Sequence, residues 1–103
     1  MKETLEVTQT IDGVTCRIIA KGRIDANNAE LLQNKLDEVL KDGQKSIILN
    51  MAQIEYLSSI GVRIILKTYK EALKVTSTFK IESPSKIVKN VLGMVALKQL
   101  LVT

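Results

Sequence analysis

The sequence predicts an α/β fold: a single domain with a mixed, mostly parallel sheet of about four or five strands and three or four helices packed on it. Three observations carry this. Asp12-Gly13 stands between two stretches of alternating apolar residues, the pattern of an antiparallel hairpin. After the hairpin, short apolar runs alternate with segments of helical period, as in units that join parallel strands by right-handed crossovers. Finally, 103 residues suffice for one hydrophobic core and not for two, so residues 1–103 read as a single domain.

The elements follow in order. Leu5, Val7 and Thr8 to Ile11 open a first strand, Asp12-Gly13 turns it, and Val14 to Ala20 return as a second strand with clean alternation. Gly22-Arg23-Ile24-Asp25 then break the strand, with Asp25 placed to cap a helix over about Ala26 to Lys41. In that helix Ala29, Leu32, Leu36, Val39 and Leu40 recur at helical spacing, and Asp42-Gly43 stop it. Ser46-Ile47-Ile48-Leu49 is a short continuous apolar run, as expected of a strand covered on both faces, and Asn50 to Glu55 read as a loop.

A second helix begins at the serine pair Ser58-Ser59. Its periodicity assigns Val62, Ile65, Leu66, Tyr69, Ala72 and Leu73 to the core and Arg63, Lys67, Lys70, Glu71 and Lys74 to solvent. Ile60 and Ile64 fall nearly opposite that stripe. Four residues apart, they stack on each other and form, with Arg63 and Lys67, an expected docking patch. A fourth strand spans Ser77 to Glu82, after which Ser83 caps a third helix with Pro84 at its first position. Ile87, Val88, Val91 and Leu92 face the core from that helix, Gly93 ends it, and Met94 to Thr103 form an apolar tail that packs back on the body.

Composition excludes several classes of function. The chain is 46% hydrophobic and 25% charged, an ordinary globular balance. Only Tyr56, Tyr69 and Phe79 are aromatic, so the core is aliphatic. The net charge of +4 is spread among acids, without the basic block and aromatic interleaving of a nucleic-acid surface; it favours encounter with an acidic protein partner. The opening residues Met1 to Glu6 are charged and polar, unlike a signal peptide, and no apolar run is long enough for a membrane span. The lone Cys16 alternates with Val14, Ile18 and Ala20 and reads as a small buried residue in a reducing, cytoplasmic protein. With no histidine, a Ser-His-Asp triad is excluded, and with one cysteine no zinc or iron–sulfur site is expected. The glycines are isolated, so there is no phosphate-cradling loop and no dinucleotide fingerprint. Glu55 near the serines reads as solvated rather than as a general base. The expectation is a binding module, not an enzyme, with no cofactor.

Ser58-Ser59 supports two readings. A serine before a helix caps it by accepting a hydrogen bond from a first-turn amide. The same free amides and the helix dipole also accommodate an anion, including a phosphate carried on a serine. Asp25 likewise is a helix cap or an acid reaching the serine loop.

Three stretches together resemble a known family. They are Gly22-Arg23-Ile24-Asp25 before a helix, Ser46 to Asn50 leading to Tyr56-Leu57-Ser58-Ser59-Ile60-Gly61-Val62-Arg63, and Ser83-Pro84-Ser85 opening the last helix. In this order the chain resembles, over nearly its whole length, the stand-alone anti-sigma factor antagonists of the STAS domain family. The resemblance implies partner switching in bacterial transcription control. The unphosphorylated antagonist binds an anti-sigma factor that is also a serine kinase and frees the sigma factor; phosphorylation at Ser59 (alternatively Ser58) ends binding, and a PP2C-type phosphatase resets the switch. Asp25, Ser58, Ser59, Ile60, Arg63, Ile64 and Lys67 are then the expected partner-binding residues. The chain departs from the common family pattern at Ser58 and Asn50, where many members carry aspartate, and at Ile60, where a small residue is frequent. A rival reading is a STAS structural or adaptor subunit of a lipid-transport or signalling assembly, associating stably and without phosphate.

Overall fold

A computed structural model describes residues 5–94, 101 and 102. The elements run β1 (Leu5–Asp12), β2 (Thr15–Ile24), α1 (Ala29–Lys41), β3 (Ser46–Leu57), α2 (Ser59–Lys74), β4 (Thr78–Glu82), α3 (Lys86–Met94) and β5 (Leu101–Val102). The expected α/β architecture is present: a five-stranded sheet in the order β1-β2-β3-β4-β5, antiparallel between β1 and β2 and parallel elsewhere. Each helix joins two adjacent parallel strands, and the crossovers all step the same way across the sheet.

The hairpin forms one residue later than the sequence suggests. Asp12 pairs with Thr15, so the two-residue loop is Gly13-Val14, with Gly13 at φ 63° in the first loop position. A glycine there suits a type II′ turn, whereas Asp12-Gly13 as the loop would have required positive φ at both residues.

Two expected breaks are absent. β2 runs through Gly22 to Ile24, and β3 runs without a loop from Ser46 to Leu57. The pairing of β2 with β3 shifts register between Ile19 and Lys21 and again between Gly22 and Arg23, and each shift places one extra residue on β3. An inserted residue restores the inward direction one position late. Buried positions on β3 accordingly fall at Ile47, Leu49 and Met51, then at Ile54 and Leu57. A spacing of three is not the alternation of a flat strand, so Asn50 to Glu55 resemble a loop in sequence although the strand continues through them, with Asn50, Gln53 and Ile54 paired to β2.

Helix starts are also displaced. Residues 26–28 form a turn, and α1 begins at Ala29. Asp25 caps this turn and not the helix, whose N-cap is Asn28: Asp25 Oδ1 accepts from the amides of Asn27 (2.9 Å) and Asn28 (3.2 Å), and its carbonyl accepts from Ala29 (3.0 Å). Asn28 Oδ1 in return accepts from the Asp25 amide at 2.9 Å, a reciprocal arrangement like a capping box. At α3 the cap is Ser85, not Ser83. Ser85 Oγ accepts from the Val88 amide (3.4 Å), its carbonyl from Lys89 (2.9 Å), and its own amide is tied to the Met51 carbonyl (3.2 Å). The helix passes Gly93 and extends to Met94. Val88 and Leu92 are buried as expected, while Ile87 is exposed. The expected packing of the Met94 to Thr103 tail lies mostly outside the described residues; Leu101 and Val102 pair beside Ile81 and Glu82.

One face of the sheet carries the core. Cys16, Ile18 and Ala20 of β2, the inward residues of β3, and Phe79 and Ile81 of β4 are sealed with Leu32, Leu36 and Val39 of α1 and Ile65 and Ala72 of α2. Burial raises the Cys16 thiol pKa, in keeping with a structural residue. Among the described residues no helix is long and apolar enough to cross a membrane.

On the opposite face Arg17 donates from Nε and Nη2 to Glu82 Oε2 (3.1 Å) and Oε1 (3.0 Å), and Asn50 Nδ2 donates to Glu82 Oε2 (2.8 Å). The network ties β2, β3 and β4 together. Arg17, then Asn50, hold the Glu82 carboxyl below the usual carboxylate range. A depressed folded-state pKa stabilises the fold above the unfolded carboxylate pKa, about 4.3, and the contribution is lost as pH falls through the folded value. Glu82→Gln is therefore expected to have a lower urea midpoint than the parent at pH 7 and to converge with it below about pH 4. A constant difference across that range would exclude the charge as the cause.

Candidate functional site

The candidate site lies where β2 and β3, which run in parallel, both finish. Ile24 and Leu57 are register partners at their last positions. Asp25 and the α1 turn follow the first strand; Ser58 and α2 follow the second. Loops at the carboxyl ends of parallel strands are where open α/β sheets usually place their sites.

Ser58 is the N-cap of α2, in extended backbone at φ −80°, ψ 169°. Its Oγ accepts from the Gly61 amide (3.2 Å), its carbonyl from Val62 (3.0 Å), and its amide donates to the Ile24 carbonyl (2.9 Å). The last bond fastens the helix start to the end of β2. Ser58 is half-buried and Ser59, the first helical residue, is exposed. The first turn holds no acidic residue, so nothing on the helix itself offsets the positive end of its dipole.

Gly61 explains how the helix sits so close. A Cβ there would lie 2.6 Å from Leu57 Cδ1 and 2.8 Å from Ile24 Cγ2. Leu57 can rotate aside, but the β-branched Ile24 is stiff. Gly61→Ala is expected to cost about 0–2 kcal/mol net in chemical unfolding: about 1–3 from overpacking, less about 1 from better helix propensity. A stabilised Gly61→Ala protein would contradict this packing.

The helix presents a different side to the core than its periodicity suggests. Gly61, Ile64, Ile65, Thr68 and Ala72 are buried, whereas Leu73 is 59% exposed and Val62, Leu66 and Tyr69 only partly covered. The buried arc is rotated by roughly a quarter turn from the expected one, at 100° per residue. Ile64 is consequently 5% exposed and belongs to the core, while Ile60, at 37%, does face outward. The expected Ile60/Ile64 surface pair does not exist.

What the site offers instead is a groove of about 440 Å³ between α1 and α2. Ala26, Ala29, Glu30 and Gln33 line one wall; Ile60, Arg63 and Lys67 line the other, with Ile64 also contributing. Of the expected partner-binding residues, Ile60, Arg63, Ile64 and Lys67 thus converge, with Ser58 and Ser59 at the head of the same helix. Asp25 stands at the end of β2 with Oδ1 engaged by the α1 turn. Sequence reasoning missed a further pair beside them: the Arg23 guanidinium lies 4.5 Å from the centroid of the Tyr56 ring, across paired positions of β2 and β3. Their apposition depends on the two register shifts, which leave no mark in sequence spacing.

The STAS domain model matches residues 6–103. The chain belongs to the STAS domain family. BtrV of Bordetella bronchiseptica, whose name places it provisionally among the anti-sigma factor antagonists, is 29% identical over 68 residues, 64% of this STAS domain and 59% of that protein. The STAS domain therefore aligns with less than two thirds of that relative. Among solved structures, the anti-sigma factor antagonist SpoIIAA in its unphosphorylated form superposes with a TM-score of 0.83 at 21% identity, covering 94% of this chain and 86% of the other. The Bacillus cell fate determinant SpoIIAA in the phosphorylated form superposes with a TM-score of 0.78 at 20% identity, covering 94% and 89%. At such identity these superpositions establish a shared fold.

Proposed function

We propose that this STAS domain is an anti-sigma factor antagonist. Its unphosphorylated form binds an anti-sigma factor with serine kinase activity through the head of α2 and the adjoining groove, releasing the sigma factor. Phosphorylation of Ser59 switches binding off, and a PP2C-type phosphatase restores it. The observation that carries the reading is the division of labour between the two serines. Ser58 is half-buried with its oxygen engaged as the cap, while Ser59 is exposed one residue further on, above a groove lined by Ile60, Arg63 and Lys67. The likeness to SpoIIAA, solved in both phosphorylation states, and the name of BtrV support the same assignment.

The chemistry is a phosphoryl transfer performed by the partner. The γ-phosphoryl group of ATP passes to Ser59 Oγ, the bond to the ADP oxygen breaks and the hydroxyl proton is released. This chain contributes the acceptor and a helix N-terminus that tolerates the charge added, about −1.5 to −2. Intact-mass spectrometry after incubation with the candidate kinase and ATP is the direct test. A gain of about 80 Da, lost in Ser59→Ala and kept in Ser58→Ala, is expected. No gain with a kinase of proven activity would refute the switch and favour stable, phosphate-free association.

A further inference from the structure

The quarter-turn rotation of α2 has a consequence for its outer side. Arg63, Lys67, Lys70 and Lys74 are all exposed and fall within an arc of about 60°, forming a ridge about 16 Å long at 1.5 Å rise per residue. None takes part in the two ion pairs found among the described residues, Arg17–Glu82 and Lys35–Glu38. Glu71, at the edge of the ridge, is the one acid of the helix. Like charges three and four residues apart destabilise a helix. The helix dipole compensates such a charge only in the last turn, at Lys74. Glu71 offsets part of this as a neighbour of Lys67 and Lys74, and the like-charge neighbours Arg63–Lys67, Lys67–Lys70 and Lys70–Lys74 still work against the helix that carries them. Along one flank it is bordered by half-buried Leu66 and by Leu73, 59% exposed. Together Arg63, Leu66, Lys67, Lys70, Glu71 and Lys74 line an open groove.

We infer that this ridge is a docking surface for an acidic amphipathic segment of a protein partner, extending well past the serine pair. Carboxylates of the segment meet the four cations, and its adjoining apolar residues cover Leu66 and Leu73. A lipid surface fits less well. Helices that bind membranes insert an apolar face, and here that face (Ile64, Ile65, Ala72) is sealed in the core. The inference rests on reading the chain as a protein-binding module and not on the serine switch.

Fluorescence anisotropy with a labelled helical peptide, glutamates on one face and leucines on the adjoining one, tests the ridge directly. Saturable binding by the parent protein is expected, weakening as salt is raised. Lys67→Glu/Lys70→Glu is expected to bind at least about tenfold more weakly, with its thermal melting retained. Leu73→Ser should bind severalfold more weakly. Absent binding, equal binding by the charge-reversed protein, or equally tight binding of the parent to phosphatidylserine vesicles would each overturn the inference. Should the reversed protein melt early, Lys67→Gln/Lys70→Gln gives the same reading. Peptide binding and mass gain at Ser59 fail independently, so neither result can be mistaken for the other.

Discussion

Ile64→Asp is expected to leave the protein largely unfolded, whereas Ile60→Asp keeps its fold and loses partner affinity. Ile64 is 5% exposed and packs in the cluster that joins α2 to the sheet. Truncating a buried isoleucine to alanine already costs about 2–5 kcal/mol. Aspartate adds the penalty of burying a carboxyl without a partner, about 1–3 kcal/mol even for a neutral polar group. The sum approaches the whole stability of a small domain, about 5–15 kcal/mol. Ile60 at 37% exposure has no such cost. Far-UV circular dichroism and urea unfolding separate the two variants. A folded Ile64→Asp protein with a urea midpoint close to the parent would show that α2 does not dock on this face.

That contrast also marks where the sequence is ambiguous. The serine cap, the order of elements and the parallel crossovers follow from local rules: a hydroxyl before a periodic helix, and apolar runs alternating with helical segments. The side α2 turns to the core does not. Positions 60, 62, 64, 65 and 66 are all apolar, so a stripe can be drawn around much of the helix. The residues that decide between the choices are Gly61 and Thr68, which a hydrophobic pattern scores as neutral or polar. Gly61 is buried because only a hydrogen fits against Ile24 and Leu57. Thr68, 2% exposed, follows it into the core two turns later. Likewise β3 hides its length because its two extra residues change the spacing of buried positions from two to three. The candidate site was legible where it is local, at Ser58, Ser59, Ile60, Arg63 and Lys67. The α1 wall and the Arg23–Tyr56 pair come from tertiary register and were not.

Phosphorylation of Ser59 is expected to weaken binding of the cognate anti-sigma factor by about a thousandfold, equivalent to about 4 kcal/mol. Two effects combine. In a dry interface about two negative charges without a partner carry a desolvation cost of several kcal/mol. In addition, Ser59 and Arg63 are four residues apart and therefore neighbours on the helix surface. A phosphate at Ser59 is within reach of the guanidinium and would neutralise the first cation of the ridge, the one nearest the groove. The modification would thus repel an acidic partner and remove part of what attracts it, with no conformational change in the STAS domain. The helix itself should tolerate the charge, because α2 has no acid in its first turn and the dipole favours an anion there. Isothermal titration of modified and unmodified protein at low and high salt distinguishes the effects. The long-range charge component shrinks as salt is raised, and the contact component persists. An affinity for the modified protein within a few fold of the unmodified one would sink the switch, whatever the mass spectrum records at Ser59.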